Sequence, residues 1–418
     1  MPLELPRRRN DIAEIAIDPE RLLGDMRRLA EFGKVGNGVH RRALSAIDIE
    51  ARQWLVGRMR EAGLEASIDG IGNVVGRTPH ARRIVIGSHT DTVPNGGWLD
   101  GAMGVIYALE IARAFMAAGG EGEIGLEIVS FCDEEGSFTA LLGSQAYVGE
   151  LDVASARTLA NEHGETLDRA VTAAGLADTP LARFDPAVHA AFLEAHIEQG
   201  PVLEAKGLRI GVVSAIVGVR GWKIRFEGRA DHAGTTPMAM RADAGAALCD
   251  FAVRFAAFCK ANGSANTVWN GGAITLTPGA HNVVPALAEY ILSFRDPSVC
   301  LLDTLAGAVE RLSAEVAAEH GVIAHADPIF ALAPAGMDGD LVDILDEAAR
   351  GRGVEPLAMP SGAGHDAMVM ARHVPTGMLF VPSINGRSHD ISEDTDDDDI
   401  VLGARVLADA VTALRQRL

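Results

Sequence analysis

The sequence predicts an α/β protein in two parts. The first is a discontinuous domain over 1–213 and 329–418, built on a mixed, mostly parallel sheet flanked by helices. The second is an inserted α+β unit over 214–328. Three observations carry this reading. Short apolar runs alternate with helical patterns through the first half of the chain. Near residue 210 the pattern changes to longer alternating strands interleaved with two long helices. After residue 329 the first pattern returns.

The elements follow in order. Ile47–Ala62 has helical spacing of Ile49, Trp54, Leu55, Val56 and Met59, and Gly63 ends it. Ile84–Gly87 is a short buried strand, Met103–Ala118 an apolar helix, and Leu126–Cys132 a second buried strand. Arg209–Arg229 is strand-like, with Trp222, Ile224 and Phe226 alternating. An Ala-rich helix over Met238–Cys259, strands over Asn266–Leu276 and Leu287–Arg295, a helix over Val299–His320 and a strand over Val322–Ile329 complete the inserted unit. Helices over Leu341–Arg350 and Gly364–Arg372, a strand over Gly377–Val381 and a final helix to Leu418 rebuild the first domain. The acidic run Asp396–Asp399 suits the positive end of that last helix.

A formal net charge of −20 argues against nucleic acid and anionic membranes as partners. No run is apolar for long enough to span a bilayer. Arg7, Arg8 and Arg9 are followed by no apolar core of a leader, so they read as a solvated tail or helix lead-in, and a cytoplasmic setting is expected. Cys132, Cys249, Cys259 and Cys300 form no C-x-x-C pair and are expected as buried free thiols.

The chemistry concentrates where strands end. Ser88-His89-Thr90-Asp91 follows the first strand, Asp100-Gly101 sits in the glycine-rich loop Asn95–Gly104, and Glu134-Glu135-Gly136 follows the second strand. His196 lies in Glu194–Gly200, and His389 in Gly386–Asp390. Open α/β sheets place their sites at such ends. Imidazole and carboxylate ligate divalent metals, and one carboxylate can bridge two ions. A second, unligated carboxylate can then take a proton from water, and the Glu134-Glu135 pair offers both roles. Asp91, two residues past His89, is placed to orient that imidazole. A lone histidine or an acid pair is more often plain surface; here both follow apolar strands, where an unpartnered carboxylate is costly.

These segments resemble the M20 family of metallopeptidases and amidases, and within it the hydantoinase/carbamoylase branch. The resemblance covers most of the chain. It runs through Gly87–Val105, Asp133–Gly136, His196–Pro201, Gly228–Met238, Asn282–Pro285, Ser361–Ala367 and Gly386–Glu393; HIEQGP with DHAGTTPM is specific to the branch.

The resemblance implies a dinuclear amidohydrolase acting on an N-carbamoyl or ureido acid. His89, Asp100 and His196 would hold one divalent ion, and Asp100, Glu135 and His389 a second: zinc, manganese, cobalt or nickel. Glu134 would be general base and then acid. Gln199 would contact the scissile group, and Asn282 and Arg295 the substrate carboxylate, with backbone N–H donors added by the glycine turn Ser361–Gly364, Ser361 and Gly362 foremost. The inserted unit would be a lid and homodimerisation domain, whose His232 stabilises the oxyanion and in this family often comes from the partner subunit. For His365 and Asp366 two roles stay open, support behind the ligands or capping of the helix that follows.

The same scaffold would also serve an N-acyl amino acid hydrolase or dipeptidase. A non-catalytic metal-binding protein on this fold would often have lost Glu134 or a ligand, and all are present. The chain departs from the pattern at Phe138-Thr139, where many members have arginine and phenylalanine, at Ser293, where many have an acid, and at Asp231, usually asparagine. These departures bear on the substrate rather than the reaction.

Overall fold

The computed structural model describes residues 15–418, so the arginines at positions 7–9 lie outside the described residues. The chain divides into two compact units. One is formed by residues up to Ser214, Met337–Met359 and Gly364–Leu418; the other by Ala215–Gly336 and Pro360–Ala363.

The first unit is built on a mixed sheet. Its centre is four parallel strands in the order Thr376–Val381, His189–Ile197, Arg82–His89, Ile124–Phe131. Gly211–Ile216 runs antiparallel beside the first, and Val74–Arg77 then Glu65–Ile68 continue antiparallel beyond the last. Every residue of Ile124–Phe131 is buried, as a central parallel strand covered on both faces requires.

The helix Ala46–Glu61 begins where the Ser45 side chain accepts the N–H of Asp48, and it buries Leu55, Val56 and Met59. Ala102–Ala117 is buried on nearly all sides. Its Gly104 lies so close to the His189–Ile197 strand that a Cβ would fall 2.4 Å from the Ala195 carbonyl oxygen. The last helix, Asp397–Arg417, carries Asp397, Asp398 and Asp399 in its first turn.

The second unit is a four-stranded antiparallel sheet in the order Val268–Thr277, Leu287–Asp296, Gly218–Glu227, Ile323–Leu332. Ala288, Tyr290, Leu292 and Phe294 alternate inward and pack with Trp222, Ile224 and Phe226 against Leu248, Phe251 and Phe255 of the helix Ala244–Asn262 and Leu302, Leu305 and Val309 of the helix Val299–His320.

Several elements differ from expectation. The strand-like stretch Arg209–Arg229 is two strands, Gly211–Ile216 and Gly218–Glu227, which belong to different sheets. The Ala-rich helix starts only at Ala244, capped by Asp243, because Met238–Met240 forms a separate 3₁₀ turn after Pro237. The strand expected to close at Ile329 runs on to Leu332, and the second unit extends to Gly336. Pro328 is tolerated there because the strand is an edge and its register shifts between Pro328 and Phe330. The helix expected over Gly364–Arg372 is one short stretch, Asp366–Met370. Cys249 and Cys300 are exposed, on the solvent faces of their helices; only Cys132 and Cys259 are buried.

Candidate metal centre

The four central parallel strands all deliver side chains to one place. His89 ends its strand, His196 is the penultimate residue of its own, Glu134 and Glu135 follow Phe131, and His389 lies in the loop after Val381. Asp100 comes from the loop that leads into Ala102–Ala117. All of these belong to the first unit.

The two oxygens of Asp100 face different partners. Oδ1 lies 3.1 Å from His196 Nε2 and 3.6 Å from His89 Nε2. Oδ2 lies 3.2 Å from His389 Nε2, and His389 Nε2 in turn lies 3.6 Å from Glu135 Oε1. Glu134 Oε2 stands 3.7 Å from His89 Nε2. His89, Asp100 and His196 form one group with converging ligand atoms, Asp100, Glu135 and His389 another, and His89, Glu134 and Glu135 a third.

The imidazoles are oriented from behind. His89 Nδ1 donates to the Asp91 carbonyl at 3.0 Å, and His196 Nδ1 to the Ile197 carbonyl at 2.9 Å. His196 Nε2 accepts the Gly101 N–H at 3.0 Å. In both rings Nδ1 therefore carries a proton and Nε2 is the nitrogen that faces the cluster. Gly101 itself has φ +64°, and a Cβ there would fall 2.3 Å from His89 Nε2, so only glycine lets the loop pass this close to the ring. The Asp91 carboxylate does not reach His89. It accepts the N–H groups of Asp133 at 3.0 Å and Glu135 at 3.3 Å, so Asp91 ties the His89 strand end to the Glu134-Glu135 turn. Asp133, Gln199 and His389 adopt positive φ, 60°, 58° and 55°, backbone strain gathered around the cluster.

Electrostatically the cluster is short of positive charge. Burial and the Asp100 carboxylate push Glu135 up to about 7. Burial raises Glu134 well above the carboxylate range, with Asp366, Glu135 and Asp100 adding to it against His89. His389 is raised to about 9, chiefly by its hydrogen bond to Asp100. Burial opposes charge on His89, but Glu134, Asp100 and Asp91 outweigh it and hold this ring well above its usual range. Glu135 Oε1 and Gln199 Oε1 are buried without a hydrogen-bond partner. Converging carboxylates and imidazole nitrogens with an orphaned carboxylate oxygen fit divalent metal binding.

The remaining expected residues fall into separate groups. Gln199 belongs to the cluster: its Nε2 donates to Asp100 Oδ2 at 3.0 Å. In the second unit, His232 and Asn282 are neighbours, with the Ala233 N–H donating to the Asn282 carbonyl at 3.0 Å. His232 Nδ1 accepts the N–H groups of Gly234 at 3.0 Å and Thr235 at 3.1 Å, which leaves its proton on the exposed Nε2. Arg295 Nη1 donates to the Gly362 carbonyl at 2.6 Å, and the Ala363 N–H to Ser361 Oγ at 3.2 Å. Gly362 thus meets Arg295 through its carbonyl. His365 and Asp366 are both buried, and the His365 ring packs edge-on against His196 with centroids 4.6 Å apart.

The model for the peptidase family M20/M25/M40 matches residues 85–413. The chain belongs to that family. An N-carbamoyl-L-amino-acid amidohydrolase of Paenarthrobacter aurescens is 38% identical over 405 residues, covering 94% of this chain and 98% of that protein. An allantoate amidohydrolase of Escherichia coli (strain K12) is 34% identical, covering 91% of this chain and 94% of that one. The crystal structure of an amidase of the hydantoinase/carbamoylase family from Burkholderia phymatum matches with a TM-score of 0.92 at 46% identity, covering 96% and 98% of the two chains.

Three residues of this M20 chain escaped the sequence reading. Arg52, fully buried, donates to Asp48 at 2.7 Å and to the Gly72 carbonyl at 2.9 Å, and lies 3.5 Å from Asp91. Glu194, also buried, accepts from Ser88 Oγ at 2.6 Å and from the Ala367 N–H at 2.9 Å. Glu393 accepts the N–H groups of Leu99 and Asp100, both at 3.0 Å. Glu194 and Glu393 lie inside motifs already noted, and an acid that close to an expected ligand was the available signal. For Arg52 the signal was a charged residue on the apolar stripe of its helix.

Proposed function

We propose that the chain is a metal-dependent amidohydrolase that hydrolyses a C–N bond of an N-carbamoyl amino acid or related ureido acid. The observation that carries this is the division of Asp100 between two ligand sets, with Glu134 beside them. The relatives named for carbamoyl amino acids and allantoate direct the reading to ureido substrates rather than to N-acyl acids or dipeptides.

His89, Asp100 and His196 would hold one ion and Asp100, Glu135 and His389 a second, drawn from zinc, manganese, cobalt or nickel. Such ions, when bound, polarise the ureido carbonyl and acidify water. Glu134 takes the proton of the attacking water and returns it to the leaving nitrogen. The C–N bond to the amino acid breaks, and the carbamate left behind decomposes to ammonia and carbon dioxide. Gln199 orients the ureido group. The Nε2–H of His232 donates to the developing oxyanion. Asn282 and Arg295 take the substrate carboxylate, Arg295 through the part of its planar fork not spent on Gly362, with Ser361 and Gly362 shaping that pocket.

We also read the chain as a homodimer joined through the second unit. Val268–Thr277 is an edge strand that leaves Val268, Ile274 and Leu276 exposed, an arrangement that a second copy would cover. Among the described residues no helix is long and apolar enough to cross a membrane. The four unpaired cysteines agree with a reducing, cytoplasmic setting.

The test is ammonia release by protein loaded with manganese or zinc, against N-carbamoyl amino acids, β-ureido acids, allantoate, N-acetyl amino acids and dipeptides. Ammonia from a ureido compound, abolished by chelator and by Glu134→Gln, supports the proposal. Amine release from acyl or dipeptide substrates without ammonia sinks the ureido reading.

A further inference from the structure

We propose that a small cavity beside Glu135 is a subsite for a second anionic group on the substrate, with Arg42 as the residue that recognises it. This rests on the ureido-hydrolase reading above and narrows its substrate class.

The cavity has a volume of about 140 Å³ and is lined by Arg42, Thr92, Glu135, Ser137, Asn161 and Glu162 among others. All of these belong to the first unit. Glu135 is shared between this cavity and the ligand cluster, where its Oε1 faces His389. A substrate whose ureido group lies at the cluster therefore has the cavity directly alongside. The space suits one small polar group and not an aromatic ring.

Arg42 differs from its neighbour in how its donors are used. Arg41 is fully buried, and its guanidinium is spent on the carbonyls of Thr90, Leu29 and Phe32. Its role is to hold the chain. The Arg42 side chain is a quarter exposed, and its one partner among the described residues is Glu162, reached from Nη1 at 3.3 Å. The Glu162 side chain is 64% exposed, so this pair is the exchangeable kind that adds little stability. The rest of the guanidinium fork has no acceptor among the described residues. The Ser137 hydroxyl also has no partner among the described residues, while its backbone N–H is held by Asp133. An arginine fork and a hydroxyl facing one small cavity are the donors a carboxylate takes, and bidentate pairing makes the contact selective. A carboxylate on a short side chain would displace Glu162 and dock on Arg42. The favoured substrates are then N-carbamoyl derivatives of acidic amino acids, with the α-carboxylate left for Arg295.

The experiment compares N-carbamoyl-L-aspartate, N-carbamoyl-L-alanine and N-carbamoyl-L-lysine on the metal-loaded protein. We expect kcat/KM to favour the aspartate compound over the alanine one by about tenfold or more. Arg42→Leu should collapse that ratio, Arg42→Lys should restore part of it, and Glu162→Gln should raise it by removing the competing carboxylate. In parallel, calorimetry on the Glu134→Gln protein measures binding without turnover. Tighter binding of the aspartate compound that Arg42→Leu abolishes supports the subsite even if no ureido compound releases ammonia, so the two readings fail separately. An aspartate-to-alanine ratio that Arg42→Leu leaves unchanged, a preference for the lysine compound, or no binding of any of the three overturns the proposal.

Discussion

Glu393 accepts the backbone N–H of Asp100 at 3.0 Å from a position 293 residues away in the chain. It also takes the Leu99 N–H at 3.0 Å and the Ser388 hydroxyl at 2.9 Å. One buried carboxylate thus sets the loop that carries Asp100 against the loop that carries His389. Removing such outer partners costs roughly tenfold to a hundredfold in metal affinity. Glu393→Ala is expected to lose about that much for manganese or zinc by isothermal titration, with the fold retained by circular dichroism. An unchanged affinity would mean the loops hold their places unaided.

Gly101→Ala probes the closest approach in the site. The residue has φ +64°, and a methyl there would fall 2.3 Å from His89 Nε2. A positive φ alone costs a non-glycine residue about 1 kcal/mol, and the clash adds to it. Because the obstacle is the ring of a proposed ligand and not distant core, we expect metal affinity to fall far more than melting temperature. A variant that loses several degrees in Tm yet binds metal normally would contradict this.

Much of the site was legible because its chemistry sits in short contiguous motifs at strand ends. His89, Asp100, Glu134, Glu135, His196 and His389 all fell within such motifs, and the structure brings them together. Strand alternation likewise marked Leu287–Asp296. What escaped was set by the fold instead of by local pattern. The break at Val217 is invisible in an alternating stretch, because both flanking strands bury apolar residues, though in different sheets. The strand expected to close at Ile329 runs on to Leu332, because an edge strand whose register shifts at Pro328 tolerates the missing N–H there. Asp91 was expected to orient His89, and it does so through its backbone carbonyl; the sequence did not show that its carboxylate is free for the Glu134-Glu135 turn.

Glu127 lies away from the cluster and gives a pH prediction about stability. Burial alone would raise its carboxyl, but His189 at 3.1 Å, Arg77 at 2.9 Å and Tyr147 at 2.7 Å outweigh burial and hold it at about 2. The folded value lies below the unfolded one, so the stabilisation is fully present above pH 4.5 and is lost as pH falls toward 2. Its size is on the order of 3 kcal/mol. In Glu127→Gln the loss of stability is expected at neutral pH, and the gap to the parent protein should close on acidification. Urea unfolding at pH 7 and pH 3 checks this, and a gap that stays constant would show that the carboxylate charge is not what stabilises.

His232 supplies the test of the dimer reading. Its Nδ1 is occupied by the N–H groups of Gly234 and Thr235, so Nε2–H is its free donor. Losing one such donor to an oxyanion lowers kcat by roughly a hundredfold to a thousandfold. His232→Ala is therefore expected to lose kcat with KM and metal content little changed. Its site still contains Glu134, whereas the Glu134→Gln protein still contains His232. If the histidine is donated across a dimer, mixing the two inactive variants after subunit exchange builds hybrids with one complete site, and activity returns. Mixtures that stay inactive although exchange is verified by mass spectrometry would place His232 in its own subunit's site and remove the catalytic reason for dimerisation.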